Sequence, residues 1–213
     1  MMNMKKLFIF LSIAIFFTVL PAFSQPGSST SQSGHAGSNT GISNYYKKTS
    51  KPALPTRTYN RKDWPHWTDD DHDCQNTRAE ILIRDNIGLL KYKRNKPCNV
   101  TWGKWICPYT GKEFTKTSDL DIDHIVPLAY AHKTGGANWP RAKKKEFAND
   151  QINLVAVEDN INQEKGDQGP DEWRPPLKSY WQEYARRWRK VKQKYGLYIG
   201  PVEEAALKDM ERQ

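Results

Sequence analysis

No stretch of this chain is apolar for long enough to cross a bilayer comfortably. The longest mainly apolar run, Leu7 to Leu20, has 14 residues, whereas a spanning helix needs about 20. Cysteine is scarce as well: Cys74, Cys98 and Cys107 are the only three, and no C-x-x-C pair occurs, so a zinc clamp of the usual spacing is unsupported. Acidic residues are outnumbered by basic ones, 24 to 33, which leaves a net charge of +9. That balance calls for an anionic partner; nucleic acid, anionic glycan and membrane surface all satisfy it equally. No internal repeat is visible.

Lys5 and Lys6 precede the apolar run, and Pro21 and the small-residue site Ala22-Phe23-Ser24 follow it. This is the pattern of a signal peptide over residues 1–24. Cleavage after Ser24 leaves Gln25 first, with no cysteine to take a lipid, so the mature chain is expected to be secreted or periplasmic without a membrane anchor. Lys5 and Lys6 are the only charges removed, taking the net charge from +9 to +7. Residues 25–55 are rich in Ser, Gly, Thr and Pro, bury almost nothing and read as a disordered linker. His35 lies in it without a partner. Residues 56–213 are then one domain, large enough for a real core.

The rest of the chain is organised around Asp119 to Asp167. Asp121, Ile122, Asp123 and His124 alternate as a short strand that Pro127 ends by removing a backbone donor. Asn153 opens a second, β-branched run, Leu154 to Val157. Asp159 then caps a short helix carrying Asn162 and Lys165 on one face. The order is strand, loop, strand, helix.

With D-x-D-H-I-V-P-L, then N-L, then N-x-x-K, the stretch resembles the HNH nucleases of the His-Me finger group. The wider spelling, including A-H-K-T-G-G-A-N-W, N-L-V-A-V and K-G-D-Q-G-P-D-E-W-R-P-P, is similar to secreted HNH endonucleases related to the C-terminal domain of GmrSD-type restriction enzymes. That likeness runs from about Tyr59 to the end. It implies an α+β fold with a ββα-metal core and added helices. By the same likeness His124 is the general base, Asp123 and Asn162 are metal ligands, and Asn153 braces the histidine loop. The third motif position is Asn rather than His, a common variant.

Elementary chemistry asks for the same residue types. Cleaving a phosphodiester needs water deprotonated near neutral pH, and an imidazole of pKa about 6.5 suits that task. A hard divalent cation, Mg2+ before Mn2+ or Ca2+, takes carboxylate and amide oxygens and leaves sites for phosphate and water. The expected activity is a metal-dependent endonuclease acting on DNA, with RNA also open, and with little sequence specificity. The alternative is a non-catalytic basic module that binds nucleic acid or anionic glycan. The oligomeric state is not legible.

Outside the motif, Asp69, Asp70, Asp71 and Asp73 read either as an acidic loop and helix cap or as a second cation site, the first preferred. His66, His72 and His132 read as packing or surface residues. A helix is expected from about Cys74 to Asn86, capped by Asp73, with Arg78 placed to reach a phosphate or to serve as a structural ion pair. Trp102-Gly103-Lys104-Trp105 reads as a tight hairpin turn, which makes Cys98 a diagonal neighbour of Cys107, about 7 to 8 Å away. That is long for a bridge, so Cys74 to Cys98 is the expected disulfide and Cys107 a buried thiol. An insert between the motif strands holds a helix over Arg141 to Phe147; there Lys143 and Lys144, with Lys165 beyond, are candidate phosphate contacts against a solvated-face alternative. From Leu177 to Tyr195 a long amphipathic helix buries Trp181, Tyr184, Trp188 and Val191, and Arg186, Arg187, Arg189, Lys190, Lys192 and Lys194 cover the rest.

Overall fold

The computed structural model of the protein describes residues 57–213; the predicted signal peptide and the whole of the linker lie outside the described residues. The fold is α+β. In chain order the elements are α1 (Thr77–Arg84), β1 (Lys91–Tyr92), β2 (Val100–Ile106), β3 (Glu113–Lys116), β4 (Leu120–His124), α2 (Leu128–Ala131), α3 (Arg141–Asn149), β5 (Leu154–Glu158), α4 (Asp159–Lys165), α5 (Trp181–Tyr195) and α6 (Pro201–Glu211), with short 3-10 turns between several of them. Two antiparallel sheets result: β1-β2-β3, and the pair β4-β5.

The β4-β5 pair divides the core. Side chains alternate across a strand, so Ile122, Leu154 and Ala156 face Ile81, Leu82 and Trp105 on one side. Val155 and Val157 face the other side, where Tyr109, Trp173, Tyr184 and Trp188 form the larger, aromatic cluster. The register is regular from Leu120 opposite Glu158 to His124 opposite Leu154. Pro127 then stands before α2, and the chain leaves the sheet.

Several expectations need correction. The first helix starts at Thr77, capped by Asn76, whose side chain accepts from the Ala79 N–H. Asp73 instead accepts from the Gln75 N–H within the preceding turn, 2.7 Å. Next, Trp102 to Trp105 is no hairpin: β2 runs straight through it with a bulge between those tryptophans. Gly103 permits this, because a Cβ there would lie 2.4 Å from the Trp105 ring and 2.6 Å from Asn86 Oδ1. Asn86 Oδ1 accepts from the Lys104 N–H at 2.8 Å, and the Lys104 carbonyl accepts from Ile87 at 2.8 Å. Tertiary partners therefore hold extended a segment whose local composition suggests a turn. Finally, α4 is preceded by Glu158 without a side-chain cap; Asp159 falls inside its first turn.

Cys74 and Cys98 are bonded, with Cα atoms 4.9 Å apart, and Cys107 is a buried thiol. On α5, Tyr184, Trp188 and Val191 are buried as expected while Trp181 is half-buried. Lys192, expected on the basic face, is wholly buried and pairs with Glu203 of α6 at 3.1 Å. No helix among the described residues is long and apolar enough to cross a membrane.

Candidate functional site

Asp121 and Asp123 share one face of β4, and α4 lies across that face. The Asn162 amide donates to Asp121 Oδ2 at 3.1 Å. One helical turn on, Lys165 Nζ donates to Asp123 Oδ1 and to the His124 carbonyl, both at 2.9 Å. Tyr109 Oη donates to the other Asp123 oxygen at 2.6 Å. Lys165, Asp123 and Tyr109 are all buried. Burial raises the Asp123 carboxyl and lowers the Lys165 ammonium, and their mutual attraction opposes both shifts. Burial, then the Asp123 charge, pushes the Tyr109 hydroxyl well above its usual range, so it stays a donor.

Asn153 is completely buried at the start of β5. Its Oδ1 accepts from the Val126 N–H at 2.8 Å and its amide donates to the Val126 carbonyl at 3.2 Å. The Asn153 carbonyl accepts from Ile125 at 2.8 Å. Three bonds thus clasp the turn that follows His124.

His124 points to the opposite face of β4 from the two aspartates. Its ring stacks on Trp67, centroids 5.7 Å apart, and Nε2 lies 2.8 Å from the Ala148 carbonyl at the end of α3. A carbonyl only accepts, so Nε2 carries the proton and Nδ1 keeps its lone pair. Burial depresses the imidazole to about 3. The expectation of an imidazole poised near its ordinary value is therefore not met in this arrangement, and the neutral tautomer is the resting form.

The structure thus brings Asn153 to the His124 turn, Asn162 to Asp121, and Lys165 to Asp123. No hydrogen bond among the described residues joins the His124 ring to Asp121 or Asn162. Asp121 is the residue to which sequence reasoning gave no role. The period-two spacing to Asp123 was the signal that could have found it. Tyr109 and Trp67, distant in sequence from the motif, left no such signal.

Among the candidate phosphate contacts, three are occupied internally. Arg78 donates to the Leu120 carbonyl at 2.7 Å and to that of Thr117 at 3.2 Å. Lys144 is buried and donates to the Ala137 carbonyl at 3.0 Å. Lys165 is fully enclosed. These side chains satisfy backbone acceptors or a buried carboxylate, contacts that fit the structural alternative for Arg78 and that a phosphate would have to displace at Lys144 and Lys165. Lys143 is half-exposed, its ammonium 4.5 Å from the Trp139 ring centre. The acidic loop brings oxygens of Asp69, Asp71 and Asp73 within 4.8 Å of one another; Asp69 accepts from the Cys74 N–H at 3.1 Å. His132 Nε2 meets the Arg57 carbonyl at 2.8 Å, the packing role expected of it.

Residues 76–199 match the family described as GmrSD restriction endonucleases, C-terminal domain, a match that spans more than half of the chain. The chain belongs to that family of nuclease domains. A secreted protein of Arthroderma benhamiae, itself uncharacterized, is 45% identical over 164 residues, covering 76% of this chain and 78% of its own. No solved structure matches.

Proposed function

We propose that this chain is an exported, divalent-metal-dependent endonuclease whose ββα-metal (HNH) centre is built on β4, β5 and α4, in a single domain behind a signal peptide and linker. The observation that carries the reading is the Asn153 clasp. A fully buried asparagine spends its amide on the backbone next to Asp123 and His124, which is the preorganisation a catalytic turn needs. Family membership supports the reaction class, and the secreted relative supports export.

The donor set suits a hard cation. Asn162 and Asp121 offer an amide and a half-buried carboxylate in direct contact. Asp123, next to His124, retains one lone pair on each oxygen beyond those given to Lys165 and Tyr109. Mg2+ is the first candidate; when bound, such an ion supplies charge stabilisation for the transferring phosphoryl group and its leaving oxygen. His124 accepts the proton of the attacking water at Nδ1, with Nε2–H anchored on Ala148. A phosphate beside the ring favours imidazolium and raises its proton affinity from the resting value. Lys165 holds the His124 carbonyl, so the base and the nearer aspartate move as one unit.

The test is incubation of the mature chain with plasmid and with RNA across Mg2+, Mn2+ and Ca2+, and with chelator. Cleavage should require the ion, and His124→Ala should lower the rate by about 10² to 10⁴ while the fold is kept. A His124→Ala protein that cut within threefold of the parent would show that the base lies elsewhere. The rival reading, a binding module for nucleic acid or anionic glycan, is favoured by one feature: the Trp67-covered imidazole with a pKa of about 3. Retention of nucleic acid without cleavage under every ion would establish it.

A further inference from the structure

Large apolar side chains rarely stay exposed together without a reason. Among the described residues four of five do: Ile87, Leu89, Trp102 and Ile106 all belong to the β1-β2-β3 sheet or the segment leading into it, and Val202 lies elsewhere. The same segment is strongly basic. Between Ile87 and Thr117 stand seven basic residues and a single acid, an excess of six out of the whole chain's +9. Two of the seven are committed, Lys104 to Glu113 at 2.8 Å and Lys112 to Glu158 at 2.9 Å. Among the described residues Lys91, Lys93, Arg94, Lys96 and Lys116 have no acidic partner. This contrasts with α5, where Arg186 and Arg189 are bridged to Glu183, Glu204 and Glu211.

Register arranges these groups. Trp102 is opposite Lys91 on β1 and opposite Lys116 on β3, so the three form one cross-strand row with all three side chains exposed. Neighbouring strands lie about 4.8 Å apart, which places an ammonium stem on each side of an indole. Lys91 Nζ already rests 4.8 Å from the centre of that ring.

We propose that the outer face of the β1-β2-β3 sheet is a platform for single-stranded nucleic acid, separate from the centre on β4, β5 and α4, with Trp102 stacking on a base and Lys91 and Lys116 taking the flanking phosphates. An indole with lysines to either side fits alternating base and phosphate along a strand. A base that stacks on Trp102 displaces the Lys91 ammonium from the ring toward the backbone. A duplex keeps its bases stacked internally and can offer this row phosphates alone, so the platform selects unpaired strands. The proposal rests on the nucleic-acid substrate of the proposed function, and not on its cleavage chemistry.

The experiment is anisotropy titration of a labelled single-stranded oligodeoxynucleotide, and of a hairpin duplex, with the mature chain in chelator. Trp102→Ala should weaken single-strand binding roughly 5- to 100-fold, the range for loss of one base stack, and Trp102→Phe should restore most of it. The double variant Lys91→Ala/Lys116→Ala should reduce the slope of log K against log salt by about 1.4, two single-strand phosphates at about 0.7 each. Single-strand affinity of Trp102→Ala within twofold of the parent overturns the platform. So does equal loss on the duplex, or loss of binding to anionic phosphatidylserine vesicles with the oligonucleotide unaffected, which would assign the face to a membrane surface. A chain that binds in this way and never cuts refutes the nuclease reading and leaves the platform standing; one that cuts while Trp102→Ala binds normally does the reverse.

Discussion

Asp121 and Asp123 have the same functional group on the same strand face, yet their surroundings give them different work. Asp123 is enclosed with Lys165, and removing one member of a buried pair leaves an uncompensated charge, at a cost of about 3 to 5 kcal/mol. Asp123→Ala should therefore lower the melting temperature as well as the activity. Asp121 is half-buried against Asn162, so Asp121→Ala and Asn162→Ala should chiefly raise the ion concentration needed for half-maximal cleavage, with little change in melting temperature. A metal titration beside a thermal melt for each variant checks this; an Asn162→Ala protein that titrates like the parent at full rate takes Asn162 out of the proposed metal centre.

His124 carries a second prediction at the same scale. Its imidazole is about 3 when folded and near 6.5 when unfolded. Between those values the unfolded chain binds the proton and the folded one does not. The stability that burial of the neutral ring permits is thus fully present above about pH 6.5 and is lost as pH falls, by about 1.4 kcal/mol per pH unit from this group. Urea denaturation at pH 7, 6 and 5 should show that slope, and His124→Gln should flatten it.

Among the elements, the bulged strand β2 and the bridge behind it decide how the β1-β2-β3 sheet is held. Cys74 precedes α1, Cys98 precedes β2, and 24 positions separate them. Closing a loop of that length contributes about 3 kcal/mol. For a domain of this size, reduction should lower the melting temperature by about 6 to 12 °C. Thiol alkylation with mass spectrometry gives the independent check: one labelled cysteine before reduction and three after it. Three labels in the untreated exported protein would remove the bridge from the account.

Over the whole molecule, counting basic residues misjudges where nucleic acid can bind. Helix α5 carries six arginines and lysines from Arg186 to Lys194. Lys192 is sealed against Glu203 and Lys194 meets Asp150 at 2.6 Å, while Arg187 keeps its charge but is tied to the Leu154 carbonyl at 3.0 Å. Charges neutralised at close range attract a distant polyanion weakly. Arg186→Ala and Arg189→Ala should accordingly leave oligonucleotide affinity within about twofold and the salt slope unchanged. A tenfold loss in the same anisotropy titration would make α5 part of the binding surface.

Local pattern was enough for the strand ending at His124, the β-branched strand after Asn153, the short helix bearing Asn162 and Lys165, the insert helix, and the buried stripe of α5. Each follows from a period of two or of about 3.6, from a proline, or from side-chain type, all short-range properties of the chain. The cysteine pair was also legible, although the hairpin assumed at Trp102 to Trp105 was not formed. What sequence could not decide was which partner each polar side chain would meet. Gly103 lies in a strand because Asn86 and Trp105 crowd it. Asp123 is sealed because Tyr109 reaches it from 14 residues away and Lys165 from 42. His124 loses its charge because burial strips the ring of water. Burial and long-range pairing are properties of the assembled core; they set charge state, exposure and availability, and the motif spacing does not contain them.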